Sequence, residues 1–534
     1  MENIFFNLYA MRKTILTLFF CYSLDVLFAQ SNIDVLHYTY NIEVNDQNDE
    51  VEGEASIFFV VREKTNIIGF DLQNIVSSGK GMKILNLLAG SASFEHTNNK
   101  IILHGNYLKN DTAMIMIQYK GIPDDGLIIS KNKFGDRTFF ADNWPDRAHH
   151  WIPCVDDPAD KATFEFIVTA PQQYQVISNG EKIEEKDLDD NKKLTHWKED
   201  TPLSTKIMVI GVAKFAVKEF ADSPNNIPVT AWVYPKDSAQ GLKNYSVAPD
   251  ILKFYSSFVG PYPYNKLANV QSTTIYGGME NASAIFYNEL SASSASSVES
   301  LLAHEIAHQW FGDMVSEKQF AHLWLSEGFA TYLQHLYTEK KYGTDSMTNE
   351  MKEDREQVVD FSKRSKNPVV DPVSSFRALL NPNSYQKGSW VLHMLRNQVG
   401  DPLFKKILQN FYERYKGKNA DTRDFQSVVE ETTKKNWKQF FDQWLYIAAI
   451  PELQVNWSYS TKKKTVIVSV TQKQDVAFDL PLELSFVDHS GNSVIKKFQI
   501  TRAQQSFTVP ARTKPLRIET DPHTVLLFQE ISKN

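Results

Sequence analysis

Cysteine is nearly absent from this chain. Two in 534 residues, Cys21 and Cys154, exclude a fold built on a disulfide framework. Cys21 lies in an apolar stretch near the N-terminus, so removal of that stretch leaves Cys154 without a partner in the chain, and stability must come from core burial. No long basic run occurs either. The 57 Lys and Arg residues are interspersed with 64 Asp and Glu for a net charge of −7, which argues against a nucleic-acid footprint. There is no internal repeat and no low-complexity linker, which excludes repeat arrays and tethered modules. No stable membrane span is expected once the N-terminal apolar segment is removed. What is present is a chain with 42% hydrophobic and 12% aromatic residues, ample for well-buried cores and long enough for three or four domains.

Residues 1–29 read as a signal peptide. From Met11, Arg12 and Lys13 form a basic start, Thr14 to Phe28 is mostly apolar, and Leu27-Phe28-Ala29 offers a small-residue cleavage site. Asp25 inside the apolar run and Met1 to Ala10 ahead of it depart from the pattern, leaving Met1 and Met11 both open as the start. The alternatives are an uncleaved anchor or, weaker still, a buried N-terminal segment. Phe20, where a lipoprotein signal needs a small residue before Cys21, argues against lipidation. The expected location is periplasmic or secreted, and a lone thiol suits a bacterial periplasm.

The pentapeptide His304-Glu305-Ile306-Ala307-His308, with Glu327 after an eighteen-residue gap, supplies a complete set of zinc-site parts. On a helix, positions i and i+4 lie one above the other, so both imidazoles project from one face at a separation that one Zn²⁺ can bridge. Ser296-Ser297-Val298-Glu299 reads as a capping box ahead of that helix. Trp324 to Tyr332 begins a second helix whose Glu327 can be the third ligand, leaving the open position that a catalytic zinc needs. The plainer reading, two surface histidines on a structural helix, is far weaker against all three residues together. About two dozen residues upstream, Tyr276-Gly277-Gly278-Met279-Glu280-Asn281 places two glycines just before an acid, suiting a backbone that must approach a ligand closely. By itself this stretch reads equally well as a tight turn on a sheet edge.

Together these residues resemble the gluzincin zinc aminopeptidases, the family of aminopeptidase N and leukotriene hydrolase, whose exopeptidase signature Gly-x-Met-Glu-Asn matches Gly277 to Asn281. Asn381 to Gly388 resembles the segment that carries the family's catalytic tyrosine, which falls here on Tyr385. Trp151 to Pro158 is similar to a structural stretch of the family's first domain, with Asp157 where Glu is usual. The resemblance implies one zinc per chain held by His304, His308 and Glu327, Glu305 as the base that takes a proton from water, and Tyr385 as oxyanion donor. It also implies Gly277, Gly278, Met279, Glu280 and Asn281 as the substrate-binding segment, with Glu280 pairing the free α-ammonium of a peptide. The family's first-domain glutamine is not evident near Asp142-Asn143-Trp144. A glycan on the Asn281-Ala282-Ser283 acceptor pattern would threaten the site, which favours a bacterial source.

The expected organisation is multidomain α+β: a β-rich domain over 30–215, a mostly helical, thermolysin-like zinc domain over 216–450, and a small β-sandwich over 451–534. Alternating runs such as His37 to Val44, Thr112 to Tyr119 and Thr465 to Val470 mark strands, Asp401 to Tyr415 a helix, and the charged stretch Glu181 to Asp200 a solvated hairpin or loop. Many members of the family carry a further C-terminal helical domain, and a three-domain member without it is expected. The expected activity is release of N-terminal residues from peptides, with oligomeric state open. The rivals are a zinc endopeptidase or epoxide hydrolase on the same scaffold, or a binding protein that keeps zinc without turnover.

Overall fold

Alternation of apolar and polar residues sets the first architecture. In Ile33–Glu43, Val35, Tyr38, Tyr40 and Ile42 are buried while their neighbours are less so, as a pleated strand of period two requires. The computed structural model describes residues 32–531; the signal peptide expected over 1–29 lies outside them. Seven strands form one mixed sheet in the order Glu181–Leu188, Lys192–Leu203, Ala162–Pro171, Ile33–Glu43, Val51–Val61, Thr112–Ile122 and Gly81–Leu88. Ile33–Glu43 runs parallel to Ala162–Pro171 and antiparallel to Val51–Val61. The charged stretch is indeed a hairpin: Glu181–Leu188, exposed throughout, pairs antiparallel with Lys192–Leu203. A four-stranded and a three-stranded sheet complete this region. Trp151, Ile152 and Cys154 are buried within it, and the Asp156 carboxylate accepts from the Thr205 hydroxyl and the His149 backbone, so the Trp151–Pro158 stretch is used structurally.

The helical pattern expected from Ala216 begins later than that. The chain here forms a five-stranded sheet in the order Ala216–Phe220, Val229–Val233, Leu267–Ser272, Ala284–Asn288 and, at the edge, Gly278–Met279, with the helices Ser238–Asn244 and Ala248–Phe258 inserted between Val229–Val233 and Leu267–Ser272. Its central strand Leu267–Ser272 is buried at every position, so it offers no alternation to detect in the sequence. Helices follow: α1 (Glu299–His308), α2 (Trp324–Tyr342), α3 (Thr344–Ser362), α4 (Gly388–Val399) and α5 (Asp401–Tyr415). On α3 the buried residues Met347, Met351, Asp354 and Val358 recur every three or four positions, the stripe by which a helix docks on a core. Behind α1 and α2, Phe329 meets Phe311, Phe425 and Phe411 at centroid distances of 4.8, 5.0 and 5.8 Å. Aromatic pairs of this kind contribute about 0.5–1.5 kcal/mol each beyond their buried area. They fix α2 against the turn that follows α1, against α5 and against the helix Thr422–Thr433.

The capping box expected before α1 is not formed. The helix starts at Glu299, whose N–H donates to Ser297 Oγ at 3.2 Å, while the Glu299 side chain accepts from Tyr337 Oη at 2.8 Å. That contact joins the start of α1 to the far end of α2 and shows the two helices antiparallel. After Pro451 the chain returns to strands, a four-stranded sheet and a three-stranded sheet that meet through Phe498 and Phe507 at 4.7 Å. The whole is a multidomain α+β architecture with a β-rich N-terminal part, a helical central part and a small C-terminal β part. Among the described residues no helix is long and apolar enough to cross a membrane.

Candidate active site

One turn of α1 separates His304 from His308, so both imidazoles leave the same face, and α2 brings Glu327 across to them. His304 Nε2 and His308 Nε2 lie 3.1 Å apart, and Glu327 Oε2 lies 3.3 Å from each. Tetrahedral zinc with ligand bonds near 2.0–2.1 Å has ligand-to-ligand edges of about 3.3 Å, so the three atoms form one face of such a site. His308 Nδ1 sits 3.1 Å from the Phe311 carbonyl and 3.0 Å from Ser326 Oγ. With Nδ1–H donated to that carbonyl, the Nε2 lone pair is left for a metal. Electrostatics also call for a cation here. Burial would lower the His308 imidazole, but Glu327, Glu280 and Glu305 push it up to about 10. Burial likewise opposes ionisation of Glu327, yet His308 and His304 hold its carboxyl well below the usual range.

Glu305, the residue after His304, is 5% exposed, and burial pushes its carboxyl well above the usual range. Its carboxylate lies over Gly278. A Cβ built on that glycine would stand 2.2 Å from Glu305 Oε1, so the second glycine of the pair is required by close approach. Gly278 and Met279 form the edge strand, paired antiparallel with Tyr287 and Phe286. The next residue, Glu280, is buried, and its carboxylate groups with Glu305 and His308 so that the ligand atoms all lie within 4.8 Å. Asn281 is fully buried with both side-chain polar atoms unpartnered, so its acceptor pattern is enclosed in the folded chain. Tyr385 lies in a π-helical turn, Asn383–Lys387, that leads into α4. Its ring stacks on His304 at 6.0 Å and 15°, and its hydroxyl interacts with Glu327. Burial, with Glu327 and Glu280, keeps that hydroxyl protonated.

Two positioning features escaped the sequence reading. Gln309, fully buried at the end of α1, donates through Nε2 to the Glu280 carbonyl at 2.7 Å and to Asp313 Oδ2 at 2.9 Å. Its Oε1 accepts from the Ser283 N–H at 2.8 Å. One amide therefore ties the Glu280 segment to the helix of the two histidines. Its only sequence signal is a polar residue inside the apolar run that ends α1. The second is backbone contact: a Cβ on Gly328 would stand 2.8 Å from Gly388 Cα. That closeness seats the Tyr385 turn against the start of α2.

Comparison with known proteins bears on the family and the fold. Residues 244–444 match the Peptidase family M1 domain, and residues 35–207 match the Peptidase M1 N-terminal domain. The chain belongs to peptidase family M1. It is 31% identical to human glutamyl aminopeptidase over 333 residues, 59% of this chain and 35% of that protein. It is 26% identical to aminopeptidase 2 of Candida albicans over 459 residues, 80% and 48% of the two chains. A probable aminopeptidase 2 of Sulfurisphaera tokodaii is 30% identical over 366 residues, 64% and 46%. This chain thus spans about a third to a half of the length of the curated relatives it matches. In fold it is similar to Legionella pneumophila aminopeptidase A, solved in complex with aspartic acid. The TM-score is 0.82 at 16% identity, covering 95% of this chain and 61% of that one.

Proposed function

We propose that the protein is a zinc aminopeptidase that releases N-terminal residues from peptides. The observation that carries the reading is the placement of a buried carboxylate, Glu280, beside Glu305 and the His304, His308 and Glu327 triangle. Zinc held by that triangle supplies a Lewis acid that lowers the pKa of water and polarises a carbonyl. Glu305 takes the proton from water and passes it to the leaving amine, one carboxylate serving both steps. The Tyr385 hydroxyl donates to the oxyanion that develops on the scissile carbonyl. Glu280 pairs with the α-ammonium, so the cut falls one residue from the chain end. Gly277, Gly278, Met279 and Asn281 hold that carboxylate on the sheet edge. The N-terminal sequence pattern supports export to a periplasm or beyond, with zinc-dependent peptide hydrolysis performed there.

The test compares free peptides with N-acetylated copies. Free peptides should be trimmed one residue at a time and acetylated ones should resist. A charge-assisted hydrogen bond contributes about 1.5–3 kcal/mol, so Glu280→Ala should lower kcat/KM for free peptides by at least about tenfold and narrow the gap. Equal cleavage of both at internal bonds would make the protein an endopeptidase, and full activity after verified metal removal would end the zinc assignment. Retained zinc with no hydrolysis of any reporter would favour a binding protein.

A further inference from the structure

Glu280 lines a cavity of about 600 Å³ that also holds the metal triangle, with Trp144 of the N-terminal β part in its wall. The segment that carries Glu280 hangs between two anchors, and both come from that N-terminal part. Ahead of the segment, Asp142 is fully buried, pairs with Arg147 at 2.7 Å, and accepts from the Thr274 hydroxyl at 2.9 Å and the Ile275 N–H at 3.3 Å. Behind it, Asn179 is also fully buried. Its Nδ2 donates to the Ala282 carbonyl, two residues after Glu280, at 2.6 Å.

Asn179 follows the strand Gln175–Ser178 and uses its whole amide. Nδ2 also donates to the Ile207 carbonyl at 2.9 Å, and Oδ1 accepts from the Val209 N–H at 2.8 Å. One amide hydrogen thus serves its own domain and the other crosses to the turn. The Ile207 segment is itself fixed: Asn143 Nδ2 donates to the Thr205 and Met208 carbonyls at 3.1 and 2.6 Å, and Lys206 pairs with Glu317 at 2.6 Å, both side chains buried. Next to Asn179, the Gly180 N–H donates to Ser283 Oγ at 2.9 Å, and Lys266 Nζ joins that hydroxyl at 3.1 Å to the Ser178 carbonyl at 2.8 Å. Ser283 holds a φ of 61°, a left-handed conformation that persists where surrounding contacts over-determine it.

The turn Glu280 to Ser283 joins the edge strand Gly278–Met279 to Ala284–Asn288, so its backbone places the Glu280 carboxylate. Gln309 holds it from the α1 side, through the Glu280 carbonyl and the Ser283 N–H. Asn179 and Gly180 hold it from the other side. His304, His308 and Glu327 stand on α1 and α2 instead, so this second grip bears on the ammonium end of the site and not on the metal end. We propose that Asn179 is a positioning residue for Glu280, and that the N-terminal β part thereby sets how far the ammonium-binding carboxylate stands from the metal triangle. This rests on the aminopeptidase reading above. Without the Asn179 amide the Ala282 carbonyl is left buried and unpaired, and the outer half of the turn moves to find a partner while Gln309 still ties the inner half.

The experiment measures kcat/KM of the zinc-loaded full chain for alanyl p-nitroanilide and for its N-acetylated copy. A loss of folded enzyme lowers both rates together and leaves their ratio unchanged, whereas a misplaced Glu280 lowers only the rate of the free substrate. Asn179→Ala should narrow the ratio by at least about fivefold, with zinc kept at about one per chain. Ser283→Ala removes one hydroxyl, keeps the backbone and serves where the Asn179 variant does not fold; it should narrow the ratio by at least about twofold. Leu484→Ala, a core change in the C-terminal β part, provides a control that loses stability without touching the turn, and its ratio should match the wild type. A ratio unmoved in the folded variants, an equal narrowing in Leu484→Ala, or loss of zinc along with activity would overturn the inference alone. Wild-type enzyme that turns over the acetylated substrate as fast as the free one would overturn the aminopeptidase reading, and the inference with it.

Discussion

Replacing Gly278 by alanine separates catalysis from stability. The new Cβ would stand 2.2 Å from Glu305 Oε1 and 2.4 Å from Glu305 Cδ, so something must move by about an ångström to restore ordinary contact. The backbone of Gly278 is held in the sheet by its pairing with Tyr287, whereas the Glu305 carboxylate is the free end of a flexible side chain. The carboxylate yields. Folding should therefore lose little, while the group that must accept a proton from water is displaced. A misplacement of about 1 Å at a reacting group commonly costs on the order of a hundredfold in rate, equivalent to about 2.7 kcal/mol of transition-state stabilisation. The expected result is kcat reduced about a hundredfold on an aminoacyl reporter, with zinc content by mass spectrometry at about one per chain and a melting temperature within a few degrees of wild type. A kcat within twofold of wild type would show that the Glu305 carboxylate need not occupy its observed place, and the role assigned to it would fall.

Other outcomes follow from the same geometry. Gln309→Met leaves the Glu280 carbonyl and the Ser283 N–H without their buried partner, at a cost of about 2–4 kcal/mol in stability, and should narrow the ratio of free to acetylated peptide hydrolysis while zinc is retained. An unchanged ratio would make Gln309 a purely structural residue. Tyr385→Phe removes only the hydroxyl, so kcat should drop by roughly two orders of magnitude with KM little altered, and an unchanged kcat would place the oxyanion donor elsewhere. His335 provides a pH test of stability. Burial alone would lower its imidazole, but hydrogen bonds to Asp354 at 2.8 Å and Glu350 at 2.7 Å push it up to about 9. A folded value above the unfolded one of about 6.5 means the contribution is complete below pH 6.5 and lost as pH rises through about 9. Thermal melts should show that loss in the wild type and a flatter profile in His335→Gln; parallel profiles would refute it.

The sequence by itself determined what depends on neighbours along the chain. Helical periodicity places His304 and His308 on one face whatever surrounds them, and α1 carries both within its ten residues. Period-two alternation likewise marks strands such as Ile33–Glu43 and Thr465–Gln472, where one face is buried and the other is not. The resemblance of Gly277 to Asn281 and of Tyr385 to one family named the remaining parts, but not their distances. Tertiary structure decided everything that joins distant segments. Leu267–Ser272 is buried on both faces and shows no period, so the sheet that positions Glu280 was invisible in the pattern. Gln309 became a tether only once Glu280 and Ser283 were folded against it, and Gly278 became obligatory only when Glu305, 27 residues later, was laid over it. Trp144 is more than a hundred residues from the metal ligands, and its place in the cavity wall comes from Asp142 bridging to Thr274. Periodicity is written in adjacent residues; close packing between segments is set by the summed shape of the core, which no local stretch contains.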